Sequence, residues 1–289
     1  MLSPATRITL STVRLLCGNA GQFTSQGTGF LFVLKSPLNE QAQYPVILTN
    51  KHVVRGFTQL STTITTVPTQ DAVREDCTAD GMIHHPVQTN QLQQFVISHP
   101  DPNTDLCAIL AMPFLGHLLE GRSPALRHMF LDESWLPSAE VRSLLRPVEK
   151  IVMVGYPNGL WDQTHNLPIV RDGLTGSHPL LNWNGLQQFV VDAACFPGSS
   201  GSPVFLFEDG MYLEDGMYRT ANGLTAGTRV VLLGVLFGGP LLTMEGRLEQ
   251  RPIPTAANEV PVFNAMMNLG YVVRADAILD LKALLPPPQ

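Results

Sequence analysis

Pro197-Gly198-Ser199-Ser200-Gly201-Ser202-Pro203-Val204-Phe205 is the stretch whose reading decides the fold. A serine flanked by glycines and running straight into an apolar strand suits a nucleophile. Its small neighbours let the backbone turn sharply and bring N–H groups close to a reacting carbonyl. Ser200 is the candidate. The Gly-x-Ser-Gly pattern alone also describes an ordinary loop, so its meaning depends on two upstream segments. Val46-Ile47-Leu48-Thr49-Asn50-Lys51-His52-Val53-Val54 places a histidine at the end of a β-rich run. Asn103-Thr104-Asp105-Leu106-Cys107-Ala108-Ile109-Leu110 places an aspartate at the start of another.

The order His52, Asp105, Ser200, in these contexts, resembles that of the trypsin-like (chymotrypsin-fold) serine peptidases, particularly the intracellular bacterial branch with the HtrA-like protease domain. The likeness runs from Gly27-Thr28-Gly29-Phe30 to the last helix. It implies an all-β fold of two six-stranded antiparallel β-barrels with a C-terminal helix and an active site between the barrels. By the same resemblance His52 is the base, Asp105 orients it, Ser200 attacks, and the N–H groups of Gly198 and Ser200 form the oxyanion hole. The family places the base of its primary specificity pocket six residues before the nucleophile, which here is Ala194, with Cys195 beside it. The walls are expected from Leu236-Phe237-Gly238-Gly239 and from Leu269-Gly270-Tyr271-Val272.

None of these pocket residues is charged. A pocket for Lys or Arg needs a buried carboxylate to offset desolvation of the cation, so a small or medium apolar side chain is expected before the scissile bond. His178, beside Pro179, reads as a surface residue. Secreted family members commonly carry Asp just before the nucleophile, where it pairs with a freshly cut N-terminus. Here that position is Ser199, and Met1-Leu2-Ser3 shows no activation-type cleavage site. Activation by N-terminal cleavage is not expected. Ordering of the active-site loops, with a regulatory protein partner as trigger, is the alternative. The peptide-binding domain that usually follows HtrA-like protease domains is not recognisable after the last helix.

Length and composition fit this reading. The chain has 289 residues, 44% apolar and 15% charged, which is enough for a sizeable core and too apolar for general disorder. A net charge of −6 without a Lys/Arg run gives no surface for nucleic acid. The N-terminus lacks the features of a secretory signal, and the longest apolar run, Val230 to Leu242, is broken by glycines and a proline. A cytoplasmic location with no membrane partner is expected. Cys17, Cys77, Cys107 and Cys195 lack metal-type spacing and read as free thiols.

Residues 1–120 are expected to form the first barrel, carrying His52 and Asp105. Residues 121–148 read as a connection with short helices around Pro124 to Leu131 and Ser138 to Leu145, Ser138 being an N-cap. Residues 149–289 are expected to form the second barrel, with Ser200. His84-His85-Pro86 and Ser98-His99-Pro100 read as loop punctuation. Asp101-Pro102-Asn103-Thr104-Asp105 mimics the opening of a calcium loop, but Leu106 stands where the glycine is required and Met112 where the closing glutamate belongs. No metal or cofactor is expected. Glu208-Asp209-Gly210-Met211-Tyr212 recurs as Glu214-Asp215-Gly216-Met217-Tyr218 and reads as an acidic hairpin or mobile loop. Thr243 to Val262 is a second long connection. Ile278, Leu281 and Leu285 fall at helical intervals, and Pro286 stops that helix.

The function expected is a serine endopeptidase working through an acyl-enzyme on protein or peptide substrates, in a processing or effector role. Two alternatives stay open: a non-catalytic or latent peptide-binding scaffold that needs a partner, and a general protein-quality-control protease.

Overall fold

Alternating burial in the first strands shows how the sequence builds its sheet. In β1 (Thr12–Asn19) Val13, Leu15 and Cys17 are buried, and the following turn, Ala20-Gly21, has positive φ at both residues (51° and 82°). That is the geometry of a two-residue hairpin, whose twist matches its strands. It returns the chain along β2 (Gln22–Lys35) with Asn19 opposite Gln22. The computed structural model describes residues 2–39, 41–119, 124–213, 224–244 and 263–288.

The N-terminal half continues with β3 (Gln43–Thr49), β4 (Gln59–Val67), β5 (Ile83–Thr89), β6 (Val96–Ser98), β7 (Cys107–Leu110) and β8 (Ala125–Leu126). They form one antiparallel sheet in the order β5-β4-β1-β2-β3-β7-β6, with β8 on β4. The C-terminal half contains β9 (Lys150–Gly155), β10 (Ile169–Thr175), β11 (Gln188–Ala193), β12 (Pro203–Leu213), β13 (Leu224–Gly238), β14 (Leu241–Met244), β15 (Phe263–Met266) and β16 (Leu269–Arg274). Six of these close into a barrel in the order β10-β11-β16-β13-β12-β9, while β14 and β15 pair as a separate ribbon. The expected chymotrypsin-like, mostly-β class holds. The first half differs in detail from a six-stranded ring, because β6 and β8 add short strands to it.

Each half has its own core, Val13, Leu15, Ile47 and Ile109 in the first and Ile151, Phe189, Val204 and Leu233 in the second. A third cluster joins them: Phe30, Phe32, Val46 and Leu48 pack with Val152, Val154, Phe205, Leu232 and Val273. The halves therefore share buried apolar surface, and this fixes where their loops meet.

Several local expectations need correcting. His84 and His85 lie within β5, where they bond Thr65 and Thr66 of β4, and so belong to a strand rather than a loop. His99 is buried and contacts Asp280 at 3.1 Å. The segment from Pro124 is strand β8 leading into fully buried Arg127, not a helix. The Ala139–Leu144 helix does form, with Ser138 accepting from Val141 N–H. The terminal helix is shorter than expected, one α-turn (Ala277–Asp280) running into a 3₁₀ turn (Leu281–Leu284). The first acidic repeat runs into β12, while its second copy and residues 245–262 of the later connection lie outside the described residues. All four cysteines are free and buried.

Candidate active site

β3 ends at Thr49, and the helical turn Lys51–Val54 follows. Val53 and Val54 are buried beneath this turn, which leaves the His52 side chain 48% exposed. Asp105 meets it from the loop before β7. Its Oδ2 lies 2.5 Å from His52 Nδ1, and its Oδ1 accepts the His52 backbone N–H at 3.1 Å. One carboxylate thus fixes both ring and backbone. Asn50 Nδ2 donates to the Asp105 carbonyl at 2.7 Å and Lys51 Nζ to the Asp101 carbonyl at 2.8 Å. Asp101 accepts from Asn103 N–H and the Thr104 hydroxyl, and the first of these holds its carboxyl below the usual range. The calcium-like opening is an Asx turn that presents Asp105.

The Ser200 loop is stitched to both halves. Thr28 N–H of β2 donates to the Ser200 carbonyl at 2.8 Å, and Gly201 N–H donates to the Leu236 carbonyl of β13 at 2.8 Å. Gly201 has φ +89°, and a Cβ there would lie 1.9 Å from the Thr28 carbonyl oxygen. Only glycine fits. Gly27 permits a second close approach: a Cβ on it would stand 2.7 Å from Val53 Cγ1 and 3.2 Å from the Ser200 carbonyl oxygen. The turn bearing His52 and the loop bearing Ser200 are neighbours across one glycine.

Within the loop, the N–H groups of Ser199, Gly201 and Ser202 donate to the carbonyls of Phe196, Leu236 and Ser199. Those of Gly198 and Ser200 make no hydrogen bond among the described residues. Gly198 has φ +83°. Ser200 Oγ donates to the Phe237 carbonyl at 3.4 Å and makes no hydrogen bond to His52 among the described residues.

A cavity of about 240 Å³ opens beside Ser200, lined by Cys195, Phe196, Pro197, Leu236, Gly238 and Gly239. Four of the expected pocket residues, Cys195, Leu236, Gly238 and Gly239, line it. Gly270 stands behind them, since a Cβ there would strike Cys195 Sγ and Leu236 Cδ1, both at 2.6 Å. Phe237 contributes its carbonyl, and its ring stacks on Tyr271 with centroids 6.1 Å apart. Ala194 turns its carbonyl to Arg171. Burial pushes the Cys195 thiol up to about 11, so it faces the cavity as a neutral group. Larger hollows of about 670 and 540 Å³ share no residue with this site.

Arg171 was not singled out from the sequence: it is one polar residue in the alternating strand β10 and belongs to no motif. No group of three metal-ligating side chains occurs among the described residues, and no described helix is long and apolar enough to cross a membrane.

The model of the family described as the trypsin-like peptidase domain matches residues 27–212, about two thirds of the chain and the whole span from Gly27 past Ser200. The chain belongs to that family. As a trypsin-like peptidase it acts on proteins or peptides. Similar solved structures include the Rv3671c protease from M. tuberculosis in its active form, 18% identical with a TM-score of 0.45, covering 99% of this chain and 84% of that one. An inactive form of the same protease is 18% identical with a TM-score of 0.43, over 98% and 91%. The serine endoprotease from Yersinia pestis is 12% identical with a TM-score of 0.46, over 95% and 62%. No curated protein matches the chain.

Proposed function

We propose that this trypsin-like peptidase hydrolyses peptide bonds through an acyl-enzyme on Ser200, with His52 as base and Asp105 as its orienting carboxylate. One observation carries the reading: two unengaged N–H groups, on Gly198 and Ser200, stand in the same loop as the serine, next to a histidine already held by a carboxylate. Serine is a poor nucleophile at neutral pH unless its proton leaves as the new bond forms. His52 Nε2 takes that proton and returns it to the leaving amine. Asp105 keeps the other ring nitrogen protonated and steadies the imidazolium. The tetrahedral intermediate places its oxyanion on the two N–H groups, which no hydrogen bond among the described residues engages. The uncharged lining of the 240 Å³ cavity supports a small or medium apolar side chain before the scissile bond.

A second reading, a latent peptidase that awaits a partner, draws on one observation. Ser200 Oγ bonds to the Phe237 carbonyl, so the hydroxyl must turn before His52 can take its proton. A regulatory protein that reorders the loop would supply that turn.

The test is intact-mass analysis after treatment with a fluorophosphonate, with Ser200→Ala and His52→Ala beside the wild type. One adduct on the wild type and none on either variant is the expected result. A folded wild type that takes no label, alone or with candidate partners, would overturn the catalytic reading.

A further inference from the structure

Arg171 lies on β10 opposite Met153 of β9 and points its guanidinium beneath the nucleophile loop. One amino group, Nη2, donates to Ser199 Oγ at 2.8 Å, and the other, Nη1, donates to the Ala194 carbonyl. Its Nε is buried with no hydrogen-bond partner among the described residues, and no described carboxylate pairs with it. A half-buried arginine with no counter-ion among the described residues is unfavourable unless its donors are needed where they are. Here the two acceptors stand at the two ends of one segment, residues 194–199. Between them lie the cavity wall, Cys195 to Pro197, and Gly198 with its unengaged N–H.

The segment closes on itself only at Ser199, whose N–H donates to the Phe196 carbonyl and whose hydroxyl accepts the Phe196 N–H at 3.4 Å. Nothing in its own backbone ties Ala194 to Ser199. The planar fork of a guanidinium spans two acceptors in fixed geometry, which an ammonium cannot do. It also puts a full positive charge under the loop on which an oxyanion develops.

We infer that Arg171 is a positioning residue that clamps Ala194 to Ser199, and so holds the Gly198 N–H in the orientation that receives the oxyanion. This rests on the proposed role of Ser200 and adds a built-in cation that orders the loop.

The experiment compares the wild type with Arg171→Met, Arg171→Lys, Ser199→Asp and the Arg171→Met/Ser199→Asp double variant, each confirmed as folded by circular dichroism. Arg171→Met should lower kcat on a peptide substrate and the fluorophosphonate labelling rate about 100-fold, with KM moved by less than about threefold, as expected when an interaction made only in the transition state is lost. Arg171→Lys should recover about tenfold of that loss, keeping the charge but not the fork. In Ser199→Asp the new carboxylate pairs with Arg171, so its labelling rate should stay above that of Arg171→Met. The double variant should fall at least about tenfold below Arg171→Met, because the carboxylate is then buried alone.

Hydrogen–deuterium exchange gives a reading independent of catalysis. Peptides covering residues 194–201 should exchange faster by about tenfold in Arg171→Met while those from β1 and β2 stay unchanged. Labelling at the wild-type rate together with unchanged exchange in this segment would overturn the clamp and leave the peptidase reading standing. A wild type that fails to label would sink the peptidase reading, and the exchange comparison would still decide the clamp.

Discussion

His128 is fully enclosed, and its Nε2 accepts the Thr65 backbone N–H at 3.0 Å, so the ring is neutral in the fold. Burial first, and then the adjacent Arg127 charge, push its pKa down to about 3. The unfolded chain takes up a proton on this ring below about pH 6.5, and the folded chain does not until near pH 3. Its contribution is therefore complete above about pH 6.5 and is lost as the pH falls, by roughly one kcal/mol per pH unit. Urea unfolding at pH 7, 5 and 4 should show that slope in the wild type. His128→Gln, which can still accept from Thr65, should flatten it. At the proposed triad, Asp105→Asn should leave the fold intact while lowering kcat on the order of 10⁴-fold, because the amide no longer enforces the reactive ring tautomer. Steady-state kinetics beside a thermal melt would check both halves of that statement.

At the level of elements, the Ser200 loop is held by backbone contacts that leave no room for a side chain. Gly201→Ala would drive its Cβ into the Thr28 carbonyl and to within 2.6 Å of Thr49 Oγ1, at a φ that alanine adopts with strain. A loss of about 3 kcal/mol or more is expected, read as a lower melting temperature, with activity lost at temperatures where the protein is still folded. The sequence made this loop legible because a glycine pattern reports a local backbone need. The strands and the Ser138 cap were legible for the same reason, since alternation and capping act within a few residues. Arg171, Arg127 and His99 were hidden. Each has partners far along the chain, Ser199 for the first, His165 and Asn166 for the second and Asp280 for the third. Nothing within a turn of them records that pairing. The mistaken helix at Pro124 to Leu131 has the same origin, because the pull of β4 on Ala125 and Leu126 outweighs a weak local pattern.

Over the whole molecule, the shared cluster makes the two halves one cooperative structure. Phe205 is fully buried in it and packs edge-on against Trp135, ring centroids 6.3 Å apart. Phe205→Ala should destabilise the protein by about 3–5 kcal/mol. Exchange probes in the first and second halves should lose protection together; loss confined to the second half would show that the shared cluster does not couple them. The path from Asp280 through His99 to Asp101 has a further consequence, in the time order of synthesis. Asp280 pairs with His99, whose Nδ1 takes the Asp101 N–H, and Asp101 shapes the turn that delivers Asp105. The eighty residues from Ser200 to Asp280 take roughly 4–16 s to translate at about 5–20 residues per second. During that interval the serine has been made, but β16 has not closed the barrel and His99 lacks its partner. The contact that braces the turn presenting Asp105 is thus among the last to become available as the chain is synthesised.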